Sequence, residues 1–314
     1  MILTITMNPS VDISYPLNHL ILDDVNRVDS VIKTPGGKGL NVSRVLKNLQ
    51  ADLLAGGIVG GHLGEFITEG LENLNIKTVF YKNDQESRNC IAILHDGQQT
   101  EILESGPLLK AEIGESFKTE FKKILKENEI SAITMSGSLP KGLPEDYYNC
   151  LIELANEENI PVLLDTSGKS LMHAVCDGNS APYMIKPNQT EILDLLRKDG
   201  QSLKTNDLKT ALTAPRFDDI EWIVVSMGAE GCIAKHQDTF YKVSIPEVTV
   251  KNPVGSGDAT IAGFAKALVD GNTCEEILKK AMTCGVLNAM ESVTGHIDLD
   301  KYDAIYKKIS IQEL

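Results

Sequence analysis

The chain has 314 residues, with 44 acidic against 30 basic side chains and a formal charge of −14. A field of that sign repels polyanions and excludes nucleic acid and anionic membrane surfaces as partners. Any phosphorylated ligand must therefore be held by local positive features.

Ile2 to Met7 reads as a strand ended by Asn8-Pro9-Ser10, and residues 11–15 and 28–34 are β-rich pieces of mixed polarity. Pro35-Gly36-Gly37-Lys38-Gly39 then breaks the chain before a helix opened by Leu40, Asn41 and Val42. A strand over 53–59, a helix over 66–74 and strands at 78–81, 89–95 and 100–103 follow, the last two joined by the hairpin signal Asp96-Gly97. From there helices and strands alternate: helix 112–127, strand 130–135, helix 144–157, strand 161–165, strand 182–185, helix 188–197 and strand 221–226. A hairpin across 231–244 and helices near 258–270, 274–290 and 299–308 close the chain.

Short apolar strands between amphipathic helices predict an α/β fold: a mostly parallel central sheet covered on both faces. The pieces at 11–15, 28–34 and 89–104 break that rhythm and read as a small projecting sheet, a lid over a crevice that can bury its free face on a second copy. The alternative is that they extend the main sheet. With no internal repeat or linker, residues 1–314 read as one domain. The six cysteines show no C-x-x-C or metal-finger spacing and sit in apolar or helical sequence, which predicts mostly buried, reduced thiols. No apolar run approaches the ~20 residues of a membrane span, and Met1–Thr6 alternates like a strand without a basic leader. The expectation is a soluble, cytoplasmic chain.

The chemistry concentrates in Asn252-Pro253-Val254-Gly255-Ser256-Gly257-Asp258, which runs into a buried apolar helix. Glycines around a serine turn the chain tightly and leave N–H groups bare at a helix N-terminus, a ready anion site. Asp258 in the first turn would repel a phosphate, but it suits a proton acceptor for a hydroxyl attacking that phosphate. It reads equally as an ordinary first-turn acid. The helix dipole would lower its pKa slightly, making it a poor base in isolation.

Three further junctions carry polar groups. Gly36-Gly37-Lys38-Gly39 with Asn41 is neither a Walker A loop nor a dinucleotide fingerprint, but it admits a polar ligand close to the backbone. Asp12 can accept bonds from sugar hydroxyls or be a solvated turn residue. Lys186-Pro187-Asn188 with Glu191 follows a strand at the ligand-binding edge of a parallel sheet, though Asn188 and Glu191 also fit a capping box. Ser226, Gly228 and Gly231 end another strand and can admit a nucleotide or turn the hairpin.

Taken in order, Gly36 through Ser43, Asn188-x-x-Glu191, Ser226-x-Gly228-x-x-Gly231 and Asn252 through Gly263 resemble the ribokinase-like carbohydrate kinases of the PfkB type, over nearly the whole chain. The resemblance implies a three-layer Rossmann-like sandwich with a β lid, often paired into a homodimer through that lid. It implies ATP and Mg²⁺, with Asp258 as the base and the N–H groups of Gly255, Ser256 and Gly257 as the anion hole. It implies that Lys186, Asn188, Ser226, Gly228, Gly231 and Asn288 border the nucleotide, and that Glu191 holds Mg²⁺ through water. Asp12, Gly36, Gly37, Lys38 and Asn41 would meet the sugar. Asn252-Pro253 stands where many members carry Asp-Thr in a loop that helps bind a monovalent cation, so that requirement stays open.

Lys38, Arg27 and Arg88 are cations suited to a second phosphate, and Ser136-Gly137-Ser138-Leu139-Pro140 resembles the phosphofructokinase-like branch, placing Ser138 by the substrate. The expectation is an ATP-dependent phosphosugar kinase. A nucleoside or vitamin kinase of the same fold would need an aromatic-rich pocket, against an aromatic content of 5%. A sugar-binding regulator would have little reason to keep Asp258 beside an anion hole, and an oxidoreductase would require a dinucleotide fingerprint.

Overall fold

A computed structural model describes residues 1–176, 180–196 and 205–314. Its first strand, β1 (Ile2–Thr6), is buried along its whole length. Its side chains alternate between two cores: Ile2 faces one, and Leu3 and Ile5 the other. The chain then leaves the main layer as β2 (Ser10–Pro16) and β3 (Ile32–Gly36) and returns through helix α1 (Lys38–Asn48). Next come β4 (Leu53–Gly60), α2 (Gly61–Asn73), β5 (Lys77–Asn83), β6 (Arg88–His95) and β7 (Gln98–Leu103). The alternating part runs α3 (Ala111–Glu127), β8 (Ala132–Ser136), α4 (Tyr147–Glu157), β9 (Val162–Asp165), α5 (Gly168–Cys176), β10 (Met184–Ile185) and α6 (Gln189–Leu195). It closes with α7 (Thr205–Ala211), β11 (Trp222–Ser226), β12 (Cys232–His236), β13 (Thr239–Ser244), α8 (Ser256–Val269), α9 (Cys274–Ala289), α10 (Tyr302–Tyr306) and β14 (Ser310–Glu313).

Among the described residues the strands form two sheets. The large one has the order β14-β13-β12-β11-β10-β9-β8-β1-β4-β5, and the small one β3-β2-β6-β7. From β11 to β5 every neighbour in the large sheet is parallel; β12, β13 and β14 add an antiparallel edge. Helices α1, α8 and α9 contribute to the core on one face and α3, α4, α5 and α6 to the core on the other. The small sheet is therefore separate, as the broken rhythm at 11–15, 28–34 and 89–104 predicts, and it does not extend the main one. The chain winds outward from β1 through β4 and β5, then from β8 outward in the opposite direction. The carboxyl ends of β1 and β8 thus flank the point where the winding reverses, the crevice in which open α/β sheets bind ligands.

Helix α8 is buried over Asp258–Ala265, with Ile261 and Phe264 fully enclosed. Burying each such side chain contributes about 1.5–3 kcal/mol, which anchors the helix whose first turn faces the crevice. A Cβ at Gly263 would stand 2.9 Å from the Cα of Ala281, so glycine there lets α8 and α9 approach closely.

Several expectations change. The single helix near 299–308 is a 3₁₀ turn at Leu299–Lys301, then α10, with β14 joining the sheet edge at Ser310–Glu313. Helices α5 and α7 have no counterpart among the predicted elements; Gly168 takes a positive φ as α5 begins. The last residue of the helix expected over 188–197 lies outside the described residues. The cysteines are less buried than their neighbours suggest: only Cys232 and Cys284 are buried, Cys176 is exposed, and Cys90, Cys150 and Cys274 are half-buried. No helix of the described residues is long and apolar enough to cross a membrane.

Candidate active site

The turn into α8 is built by Gly255, which takes the left-handed conformation (φ +84°) as N-cap. A Cβ there would also lie 2.4 Å from Cγ2 of Thr294, so the position excludes side chains twice over. The first-turn N–H groups of a helix have no intrahelical partner and carry its positive end. Of the three expected in an anion hole, the N–H of Ser256 is directed at the carbonyl of Pro253 at 3.3 Å. The hydroxyl of Ser256 is buried without a hydrogen-bond partner. The ammonium of Lys186 leans on the same turn, 2.9 Å from where a Cβ of Gly257 would stand. An unpartnered hydroxyl, a cation and bare N–H groups form a cradle fit for phosphate oxygens.

Asp258, one residue on, is 5% exposed. Its Oδ2 accepts from Nδ2 of Asn41 at 2.7 Å, and Oδ1 of Asn41 accepts in turn from Arg44 Nη2. Burial pushes the carboxyl of Asp258 up, helped by the charge of Asp165; Lys38, the Asn41 bond and Lys186 pull the other way, leaving it at about 6. The small lowering expected from the helix dipole is thus overturned by desolvation, the larger effect for a group this enclosed. A carboxyl poised there is a competent general base near neutral pH.

Asp165 ends β9 in the same crevice and was not singled out by the sequence. Its oxygens lie 3.4 Å from Lys38 Nζ and 3.5 Å from Lys186 Nζ. Burial alone would raise its carboxyl; the two ammonium groups outweigh that and hold it below the usual range. Lys38 is raised, chiefly by Asp165, against a desolvation that lowers it. One carboxylate therefore anchors cations from α1 and from the strand end before α6. An Asp ending a parallel strand is the signal that could have found it.

Two cavities meet at this point. One, of 370 Å³, is lined by Asp12, Gly37, Lys38, Asn41, Arg88 and Cys90 under the small sheet. The other, of 520 Å³, is mostly apolar and includes Lys186, Ser226, Gly228, Gly231, Gly257 and Gly285. The loop before α8 separates them: Asn252 and Val254 face the first, Pro253 and Ser256 the second. Asp258 itself lines neither cavity but stands between them: Gly257 beside it borders one and its partner Asn41 the other.

In the smaller cavity Asp12 Oδ1 accepts from Ser10 Oγ at 2.7 Å, and burial raises its carboxyl. Gly36 is required beside it, because a Cβ there would fall 1.9 Å from the Asp12 carboxyl carbon. Arg88 donates from Nε to Asn8 O at 3.1 Å and from Nη1 to Glu104 O at 2.9 Å, which fixes its guanidinium at the cavity wall.

Not every expected residue converges here. Arg27 is exposed on the loop between β2 and β3 and borders neither cavity. Ser138 lines a separate polar cleft of 420 Å³ with Thr166 and Lys169. Asn288 does not line the apolar cavity: its Nδ2 donates to Val254 O and its Oδ1 accepts from Gly295 N, so its amide braces the loop from behind. Residues Gly285, Val286 and Ala289 of the same helix form the wall instead. Asn188 and Glu191 make a complete capping box for α6, the alternative the sequence left open, and Asn188 bridges to Ser226. Glu191 still lies close enough to Lys38 to help raise it.

The match to known proteins agrees with this arrangement. Residues 5–300 match the model of the pfkB family carbohydrate kinases. The chain belongs to that family. Proteins named tagatose-6-phosphate kinase from two strains of Staphylococcus epidermidis are 53% identical to it, over 100% of both chains. A Staphylococcus aureus protein assigned to the phosphofructokinases superposes with a TM-score of 0.84 at 29% identity, over 100% of this chain and 99% of that one. Escherichia coli phosphofructokinase-2, solved in complex with fructose-6-phosphate, shares the fold with a TM-score of 0.86 at 23% identity, over 98% of each chain.

A kinase of this family works with ATP and a divalent metal, and the site fits both. The apolar cavity leads to the phosphate cradle at Ser256–Gly257 and Lys186. The carboxylates of Asp165 and Glu191, both close enough to Lys38 to raise it, are the groups that could meet a divalent ion held largely by phosphate oxygens and water, as hard small cations prefer.

Proposed function

We propose that this chain transfers the γ-phosphoryl group of ATP to the 1-hydroxyl of D-tagatose 6-phosphate, giving D-tagatose 1,6-bisphosphate and ADP. The observation that carries the chemistry is Asp258, buried and held at about 6, between the cavity beneath the small sheet and the one that leads to the phosphate cradle. The full-length identity to relatives named for this activity supports the choice of sugar. The second reading, 1-phosphofructokinase, which would phosphorylate fructose 1-phosphate instead, is consistent with the structural likeness to a protein assigned to the phosphofructokinases at 29% identity.

In this reading the sugar occupies the cavity beneath the small sheet. Asp12 accepts bonds from its hydroxyls, while Arg88 and Lys38 face its phosphate as fixed cations. The nucleotide lies in the apolar cavity along Ser226, Gly228 and Gly231, with its phosphates at the N-terminus of α8 and at Lys186. As the acceptor oxygen bonds to the γ-phosphorus and the bond to the β-phosphate oxygen breaks, the hydroxyl proton passes to Asp258. The N–H groups of the first turn and Lys186 meet the charge on the transferring group. Asn41, fixed by Arg44, keeps the carboxylate oriented. Magnesium bound to the nucleotide, with Glu191 reaching it through water, would neutralise phosphate charge. Arg27 and Ser138 line neither of these two cavities.

Of the small sheet's exposed apolar residues, Ile32, Leu94 and Leu103 line the cavity given to the sugar and Ile102 does not; a second copy covering them would make a homodimer through the lid. A cytoplasmic role in lactose and galactose breakdown goes with the proposed substrate. The test is ADP release from Mg-ATP with each ketohexose phosphate. Turnover on tagatose 6-phosphate supports the reading, and turnover on fructose 1-phosphate alone moves it to the second.

A further inference from the structure

At the amino end of the large sheet, far along α9 from the nucleotide cavity, three reactive side chains form a chain of contacts. Cys274 Sγ stands 3.3 Å from Nδ1 of His236, and Nε2 of His236 stands 3.0 Å from Glu221 Oε1. A carboxylate can only accept, so Nε2 carries the ring proton and Nδ1 is left as the acceptor facing the thiol. Gln237 donates to the same Oε1 at 2.8 Å and holds the carboxylate in place. The ring of His236 stacks on Trp222 with centroids 4.1 Å apart, which fixes its plane. Cys274 is the first residue of α9 after a Thr273–Glu276 capping box, so the helix's positive end also faces the sulfur.

We infer that Cys274, His236 and Glu221 form a general-base-activated thiol, a modification site for hydroperoxides distinct from the kinase centre. The order thiol, imidazole, carboxylate is the arrangement that activates a nucleophile when each group is held by the next. His236 offers different nitrogens to its two partners, which relays a proton and does not chelate a metal. The groups facing the sulfur besides His236 are Glu221, Glu275 and the phenols of Tyr183 and Tyr241. Partial burial, then the carboxylates of Glu221 and Glu275, hold the thiol above its ordinary range despite a bond from its own N–H. The resting group is therefore the thiol, and it needs its base. These neighbours crowd the sulfur and favour a small electrophile.

In the step, the Sγ–H proton passes to Nδ1 as the sulfur electron pair attacks the distal peroxide oxygen. The O–O bond breaks, and the leaving oxygen takes that proton back from the imidazolium. Sulfur is oxidised by two electrons to a sulfenic acid, and the hydroperoxide is reduced to an alcohol or water.

The test is cysteine-resolved mass spectrometry of the full chain treated with limiting hydrogen peroxide and a 1,3-dione sulfenic-acid trap. Cys274 should be labelled at least about 10-fold faster than Cys176, the exposed cysteine, because general-base help is worth that much or more. His236→Phe, which keeps a ring over Trp222, should bring Cys274 down to the Cys176 rate. Glu221→Gln should slow it several-fold. The wild-type rate should rise less steeply between pH 6 and 8 than that of Cys176. Trp222, the single tryptophan, reports whether the packing survives the histidine change; if it does not, Glu221→Gln and the wild-type pH profile decide. Equal labelling of Cys274 and Cys176, an unchanged rate in Glu221→Gln, or ordinary thiol pH dependence would overturn the proposal.

Discussion

The carboxylate of Asp258 and the amide of Asn41 meet at 2.7 Å across 217 residues of sequence. That bond ties α8 to α1 between the two cavities. It also works against the burial that raises the carboxyl.

Asp258→Asn should lower turnover by about 10²–10⁴-fold, the usual contribution of a positioned base, with ATP affinity little changed. The same substitution should stabilise the fold at neutral pH. The folded pKa is about 6 against 3.8 for the free group, so the folded state binds more protons between those values and stability falls as pH rises through that window. Above about 6 the cost of the buried charge is fully present, and asparagine removes it, for a gain of the order of 1 kcal/mol. Thermal unfolding at pH 7.5 beside steady-state kinetics checks both halves. A dead and destabilised variant would contradict this account.

Activity should fall as pH drops through about 6, where Asp258 takes up a proton before substrate can supply one. Two substitutions should move that limb in opposite directions. Asn41→Leu removes a bond that lowers the pKa and should shift it to higher pH. Asp165→Asn removes a charge that raises the pKa and should shift it to lower pH. The acid limbs of kcat/KM for the three proteins measure the order directly.

Asp165→Asn should also be strongly destabilising, by about 3 kcal/mol, because it leaves the Lys186 ammonium buried and unpaired. Asp165 is depressed below 3.8, so its contribution is present above that pH and is lost as pH falls through the lower folded value. Urea denaturation at pH 7 gives the loss; a change within about 0.5 kcal/mol would mean the ion pairs are not structural.

Gly255→Ala meets both a left-handed backbone and the methyl of Thr294. It should cost about 1–3 kcal/mol of stability and weaken ATP binding by moving the first turn of α8. Isothermal titration with a non-hydrolysable nucleotide separates this from a lost base: here affinity should fall, whereas in Asp258→Asn it should not.

Arg88→Lys keeps the charge but loses the two bonds that fix the guanidinium to Asn8 and Glu104. It should raise KM for the phosphosugar by about 10-fold or more while leaving KM for ATP unchanged. Equal effects on both substrates would place Arg88 outside the sugar cavity.

The two glycine-rich junctions were legible because both are local: Gly255 and Gly36 must be glycine for reasons of backbone and close approach. The lid was legible as a departure from the helix–strand rhythm, since its strands carry mixed polarity where β4 is apolar throughout. Asp165 was not, because an acid after a short apolar strand looks like any turn residue until Lys38 and Lys186 are brought from 127 and 21 positions away. The orientation of Asn288 is not legible for a related reason. The residue lies on the same helix as the cavity residues, one position from Ala289, and only the tertiary packing decides which of two adjacent residues faces the cavity. The raised pKa of Asp258 follows from enclosure by α1 and β9, which no first-turn argument contains.

The most direct test of the central claim is ADP release from Mg-ATP with tagatose 6-phosphate, fructose 6-phosphate and fructose 1-phosphate, for the wild type and for Asp258→Asn. The account predicts the highest kcat/KM on tagatose 6-phosphate and its collapse in the variant. Undiminished turnover by Asp258→Asn, or no turnover on any ketohexose phosphate, would contradict it.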